Sequence, residues 1–507
     1  MSDDAMRQQD LDFRRHLLRQ AAEQVRGVDL GEATPVGGFR LDRAPARTGR
    51  LSPRRGIGQQ TGSGARIAGT AADLARRYRA ADLSPVEVTR RALEQAEAKQ
   101  PILNAFITLL GASALEAARA SEARFRRDEP LGPLDGVPVA VKDLVHIAGE
   151  RTTAASKVMA NFVANEDAAV IQRLRAGGAI LLGKTNLHEF AYGGTGDVSF
   201  IGPARNPHNP DHITGGSSSG SAAAVGGGIC PVALGTDTAC SIRTPASLCG
   251  IVGLKPTYGR VSTRGVIPLS WSQDHVGPMT GSVEDAGLTL GVISDFEMPN
   301  LDRAVSKRLR VGVCQELFFG RLDSEVRRLV ERAIGLLGAV QEVQIPHLGV
   351  SGAVQALITS AEARAFHHHW METRPGDYDW SVRNRLEAGL EVTAADYVQA
   401  TRLRGLLVEE MRAALANVDV LAMPTVAVTA PKFGQREVQL EDGAAEAVGP
   451  LMLRNAAPMN VTGFPAITVP CGNASNGLPV GLQLVGLPWE EGRLLQAAHA
   501  FEVRFSG

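Results

Sequence analysis

Apolar residues recur at helical spacing near the N-terminus, where Leu11, Leu18, Ala22 and Val25 share one face of the stretch 3 to 27. Ser2 as N-cap and Asp3 and Asp4 in the first turn complete the start signal, so a helix is expected there, as an appendage. From about Gly31 to Gly64 the periodicity lapses. Gly, Pro and Arg dominate, with Arg40, Arg43, Arg47, Arg50, Arg54 and Arg55 closely spaced and little to bury. A mobile linker is the expectation, and its rival is a basic stretch that wraps onto the protein or a partner. Residues 1 to 66 thus divide from a unit spanning 67 to 507.

Helical signals resume at Thr70 with Asp73, and at Ser84 with Pro85 and Glu87, two capping boxes that predict two helices. VPVAV at 137 to 141 then reads as a buried strand, AAVIQRLRAGG at 168 to 178 as a helix ended by glycine, and AILLG at 179 to 183 as the next strand. An alanine-rich helix at about 219 to 228 leads into the strand PVALGTD at 231 to 237, and PAITVP and LPVGLQLVG close the chain as strands. That alternation indicates an α/β layered sheet.

Composition narrows the picture. With 507 residues, 44% hydrophobic and 21% charged, the chain can bury a large core without staples. Its 53 basic and 54 acidic side chains leave a formal net charge of −1, which offers no electrostatic footprint for nucleic acid or an anionic membrane. Five scattered cysteines, Cys230, Cys240, Cys249, Cys314 and Cys471, lack zinc-site or disulfide spacing and fit a reducing cytoplasm. No secretory h-region and no apolar run of membrane-spanning length is present, so a cytoplasmic protein is expected.

Two serine-rich runs carry the candidate chemistry. TGGSSSGSAAAV at 214 to 225 passes directly into an apolar helix, so its glycines and serines read as a shaped turn at a helix N-terminus rather than as a linker. Gly216 to Gly220 also fits a GxSxG elbow centred on Ser218, but an elbow needs an apolar strand upstream, and ARNPHNPDHI is polar and broken by Pro207 and Pro210. Downstream, GTDTACSIRTPASLCG places Ser241 24 residues after Ser217.

Lys142 in GVPVAVKDL, Ser217 in GGSSSGSAAAV and Ser241 in GTDTACSIRTPA resemble, in order and spacing, the lysine, cis-peptide serine and nucleophilic serine of the amidase signature family. KTNLHEFAYG, RNPHNP and RNAAPMNVTGFPAITVP extend the likeness over roughly residues 70 to 500. The resemblance implies a large mixed β-sheet core covered by helices on both faces. It also implies an amidohydrolase in which Ser241 forms an acyl-enzyme, Ser217 relays protons and Lys142 is the general base, on an amide or on a carbamate or ester. Backbone N–H groups of Thr238, Ala239, Cys240 and Ser241 would form the oxyanion hole, Ser218 would hydrogen-bond Lys142, and Asp237 and Arg243 would pair to hold the turn. Phe190, Ala191 and Tyr192 would line the substrate pocket. No metal or organic cofactor is implied; the partner is a small-molecule amide, with a homodimer as the candidate assembly.

Chemistry explains these residue types. A serine hydroxyl needs a base to take its proton, and lysine can be that base only when neutral, which burial favours. Asp143 would oppose this if it faced Lys142, but strand neighbours point to opposite faces. Ala239 and Cys240 depart from the family's usual two glycines, and a positive φ at either would be costly. Cys240 is also a rival nucleophile, though no histidine stands near it in sequence. His367, His368 and His369, consecutive on a helix, cannot converge on one ion and read as surface or rim residues. Trp271 and Trp370 are further pocket candidates.

Two other readings stand beside the stand-alone amidase. One is a glutaminase or transamidation protein resembling the glutamyl-tRNA amidotransferase A subunit. The other is a binding protein that keeps the fold without the activity, which three intact triad side chains disfavour.

Overall fold

The computed structural model describes residues 3–28, 30, 41, 69–304, 306 and 308–506. The Ser2 cap and, apart from Leu41, the expected linker lie outside them. In the strand Pro138–Lys142 every residue is buried, yet successive side chains join different clusters. Val139 and Val141 pack with Val232, Leu234, Ile171 and Leu290, whereas Ala140 packs with Ala233, Ala222 and Ala92. Because strand residues alternate between faces, both sides of the sheet are covered, each by its own helices.

Eleven strands form this sheet: β1 (Phe106–Leu109), β2 (Pro138–Lys142), β3 (Ile180–Thr185), β4 (Val232–Asp237), β5 (Val252–Lys255), β6 (His275–Thr280), β7 (Leu309–Val313), β8 (Gly338–Glu342), β9 (Val420–Pro424) and, beyond the small hairpin of β10 (Glu437–Gln439) and β11 (Ala445–Ala447), β12 (Ala466–Asn473) and β13 (Pro479–Val485). Their order is β1-β3-β2-β4-β6-β5-β12-β13-β9-β7-β8. β2 runs parallel to both β3 and β4, while β6, β5, β12, β13 and β9 follow in antiparallel pairs, so the sheet is mixed as expected. β2 and β4 being neighbours matters most, because Lys142 ends one and the turn before Ser241 follows the other.

The predicted helix at 3 to 27 forms as α1 (Asp3–Arg26), but it is not an appendage. Leu11 and Leu18 pack against Ala388, and Ala21, Ala22 and Val25 join the main core. Arg26 pairs with the buried Asp396 carboxylate at 2.6 Å. An apolar stripe on a helix must be covered, and here the helices Ser351–Phe366, Trp380–Ala388 and Ala394–Leu415 cover it. Thr70 and Ser84 cap their helices through Asp73 N and through Val86 and Glu87 N. No described helix is long and apolar enough to cross a membrane.

Candidate active site

Lys142 lies on the face of β2 that carries Ala140, opposite the N-terminal turn of the helix Ser219–Gly226. Its side chain is fully buried and its Nζ lies 2.7 Å from Ser217 Oγ, 2.9 Å from Ser218 Oγ and 2.8 Å from Thr236 Oγ1. Ser218 Oγ donates its own hydrogen to the Thr236 carbonyl at 3.1 Å, so toward Lys142 it accepts. A neutral amine has two hydrogens and one lone pair. Three hydroxyl neighbours therefore leave the lone pair for one hydroxyl hydrogen, and Ser217 is free to supply it.

Burial pushes Lys142 down to about 7, against the charges of Asp237 and Asp274, which pull it back up. Asp143 does not take part. Its carboxylate turns to the other face, accepting from Thr153 N and Oγ1 at 2.8 and 2.6 Å and pairing with Lys184 at 2.7 Å.

Ser217 follows a cis peptide from Gly216. A side chain on Gly216 would meet Gly196 backbone at 2.6–2.7 Å, so only glycine lets the two turns approach. Two contacts tie this turn to that of Ser241: Ser218 N donates to the Ser241 carbonyl at 3.2 Å, and Cys240 Sγ donates to the Gly216 carbonyl at 3.5 Å.

Between β4 and the short helix Arg243–Leu248, residues 238 to 241 form a tight buried turn. Among the described residues, no acceptor is found for the backbone N–H groups of Thr238, Ala239, Cys240 or Ser241. Buried donors without partners are rare, and four in succession suit an oxyanion. Ala239 and Cys240 both avoid positive φ, so neither pays a left-handed strain where the family's usual glycines stood. Burial raises the Cys240 thiol to about 12. A protonated, enclosed thiol is a poor nucleophile, and Cys240→Ala is expected to keep any amide hydrolysis within about fivefold of wild type, the equivalent of ~1 kcal/mol for one lost buried sulfur; steady-state kinetics checks this.

The turn is anchored beneath. Asp237 pairs with Arg243 at 2.9 Å, both fully buried, and accepts from Ile242 N at 3.0 Å. Arg243 reaches on to Asn460 Oδ1 at 2.5 Å, Gln483 Oε1 at 2.7 Å and the carbonyls of Ala239 and Ala456. Its guanidinium holds the Asp237 carboxyl down at about 2 although burial alone would raise it. Asp237→Asn would leave a buried guanidinium without its countercharge, and we expect a loss of about 3–5 kcal/mol in urea unfolding.

The residues expected to line a substrate pocket separate in the structure. Ala191 lines a narrow cleft with Thr236, Thr238, Ile267, Leu269, Trp271 and Asp274, and Trp271 stands 49% exposed at its rim. Phe190 instead lies buried among His367, Trp370 and Tyr378, with ring centroids 4.4, 5.8 and 5.6 Å away. His367 is therefore a core residue rather than a rim one, its Nδ1 2.8 Å from Tyr378 Oη. Tyr192 Oη lies 3.3 Å from Ser360 Oγ, and its carbonyl accepts from Arg385. Among the described residues no three metal-ligating side chains converge.

Several residues of the site are not visible in sequence. Thr236 joins Lys142 only because β4 lies beside β2. Asp274 binds Thr238 Oγ1 at 2.6 Å and the N–H groups of Leu269 and Ser270, connecting the turn to the cleft wall. Asn460 and Gln483 come from the far end of the chain. Thr236 stands in GTDTACS, Asn460 in RNAAPMNVTGFPAITVP and Gln483 in LPVGLQLVG, so the stretches are marked in the sequence but the roles of these residues are not.

A family model described as Amidase matches residues 87–495. This chain belongs to the amidase signature family. It is 37% identical over 480 residues to the A subunit of the glutamyl-tRNA(Gln) amidotransferase of Carboxydothermus hydrogenoformans, an alignment covering 85% of this chain and 96% of that protein. Among solved structures, it superposes on an amidase with a TM-score of 0.81 at 37% identity, covering 86% of this chain and all of the other. The peptide amidase of Stenotrophomonas maltophilia gives a TM-score of 0.72 at 31% identity, covering 86% and 97%. The α/β fold with its large mixed sheet is that of this family.

Proposed function

We propose that this chain hydrolyses a carboxylic amide through an acyl-enzyme on Ser241, with Ser217 as proton relay and Lys142 as general base. The observation that carries this reading is the buried Lys142, whose Nζ meets three hydroxyls and, among the described residues, no carboxylate within hydrogen-bond distance. Ser217 gives its hydrogen to Lys142 and takes one from Ser241 as the Ser241 oxygen attacks the carbonyl. The N–H groups of Thr238 to Ser241 then receive the oxyanion. The proton returns by the same route to the leaving nitrogen, and water, activated likewise, releases the acid.

Which amide is cleaved divides two readings. Stand-alone hydrolysis of a linear amide is supported by the likeness to the amidase and peptide amidase structures. The transamidation reading is supported by the amidotransferase relatives, which favour it over the first. One feature of the site agrees with them. Arg385 is half-buried beside the loop that carries Ala191 and, among the described residues, has no carboxylate within ion-pair distance, although the charges of Asp197 and Asp10 act on it from farther away. An amide that itself bears a carboxylate, as glutamine does, would supply one.

The test is ammonia release from glutamine and from neutral amides, anilides, carbamates and esters, with and without added partner subunits of an amidotransferase. Glutaminase activity that needs those partners supports the transamidation reading. Turnover of neutral amides by the chain alone supports the stand-alone one. Undiminished turnover by Ser241→Ala and Lys142→Ala would overturn both.

A further inference from the structure

α1 reaches beyond the core face it covers. Asn384 is buried in the helix Trp380–Ala388, and its Nδ2 donates to two atoms of α1, the Arg7 carbonyl at 2.8 Å and Asp10 Oδ2 at 3.0 Å. Asp10 is itself held by Arg14 Nε at 2.7 Å. The next residue along that helix, Arg385, donates to the Tyr192 carbonyl, and Tyr192 follows Ala191, which lines the cleft beside Thr236 and Thr238. Hydrogen bonds and peptide bonds thus connect α1 to the substrate side without a gap.

The loop at the end of this path needs support. Phe190 and Ala191 both hold left-handed backbone, with φ of 48° and 60°, a conformation that costs about 1 kcal/mol or more for each non-glycine residue and persists only where its surroundings impose it. Arg14 also bears on the same place, since its charge acts on Arg385, Tyr192 and His188. The family match begins at residue 87, so this support comes from a part of the chain outside it.

We propose that α1 positions the substrate-side wall of the cleft: Asp10 holds Asn384, and with it Arg385, against the loop that presents Ala191. Asp10 and Asn384 are positioning residues, and the proposal rests on Ser241 being the nucleophile. It predicts an effect on substrate affinity rather than on the chemical step, because Lys142, Ser217 and the turn 238 to 241 are anchored independently of α1.

The test follows covalent labelling of Ser241 by an octyl fluorophosphonate, which separates reversible binding (KI) from the chemical rate (kinact). Asp10 is partly exposed, so its variants should fold. Asp10→Ala is expected to raise KI about tenfold, the equivalent of one lost charge-assisted hydrogen bond, with kinact unchanged. Asp10→Asn, which keeps an oxygen for Asn384, should recover most of the affinity. Arg19→Ala, which removes a different α1 contact, the pair with Glu391 at 2.8 Å, should keep the wild-type KI. An unchanged KI in Asp10→Ala, or an equal rise in Arg19→Ala, would overturn the positioning role. Wild-type protein that takes no label at Ser241 is a separate result, visible before any change at Asp10, and it removes the nucleophile assignment and this inference together.

Discussion

Ser241→Ala is expected to lower kcat/KM for whichever amide the wild type cleaves by on the order of 10⁵-fold, while binding of that amide changes little. Removing the nucleophile of a serine hydrolase abolishes the acyl-enzyme route and leaves only what the oxyanion donors and binding contribute. Ser241 itself is only 4% exposed, and alanine fits its place in the turn without disturbing the Asp237–Arg243 anchor below. Steady-state kinetics with a direct binding measurement checks this. Ser218→Ala provides the contrast: it removes one of the three hydroxyls around Lys142 and should cost far less.

Second in size is the effect of Lys142. Only its neutral form has a lone pair for the Ser217 hydrogen, and the group is held near 7. Above about 7 the amine is free to serve the proposed relay, whereas as pH falls through that value protonation occupies the lone pair and activity should be lost. The acid limb of kcat/KM should therefore lie near 7, and Lys142→Ala should lower activity about 10³-fold or more, the scale of a lost general base. Asp274, pushed up to about 7 by burial, titrates in the same window, so the limb belongs to Lys142 if Asp274→Asn retains it. A rate that stays level from weakly acidic to alkaline pH would contradict the assignment.

Much of the fold is legible in local patterns because those patterns are strong. Buried strands such as β2 and β3 and the capped helices at Thr70 and Ser84 state their own limits. Lys142, Ser217, Ser218 and Ser241 can be named because each stands in a short, ordered motif, and the structure brings Lys142 against both Ser217 and Ser218. The helical pattern of α1 is plain, but its docking is hidden, since the surfaces that receive Leu11 and Leu18 arise more than 300 residues later. Thr236, Asp274, Asn460 and Gln483 escape a reading of the sequence for the same reason: what joins them to the site is sheet order and loop packing, not spacing along the chain. Phe190 shows the converse. It shares a motif with Ala191, yet the left-handed backbone turns the ring into an aromatic cluster and leaves Ala191 at the cleft.

The most direct measurement is peptide mapping by mass spectrometry after reaction with a fluorophosphonate. A single adduct is expected on Ser241, absent in Ser241→Ala and strongly slowed in Lys142→Ala. An adduct on Ser217, Ser218 or Cys240 in the wild-type protein would contradict it.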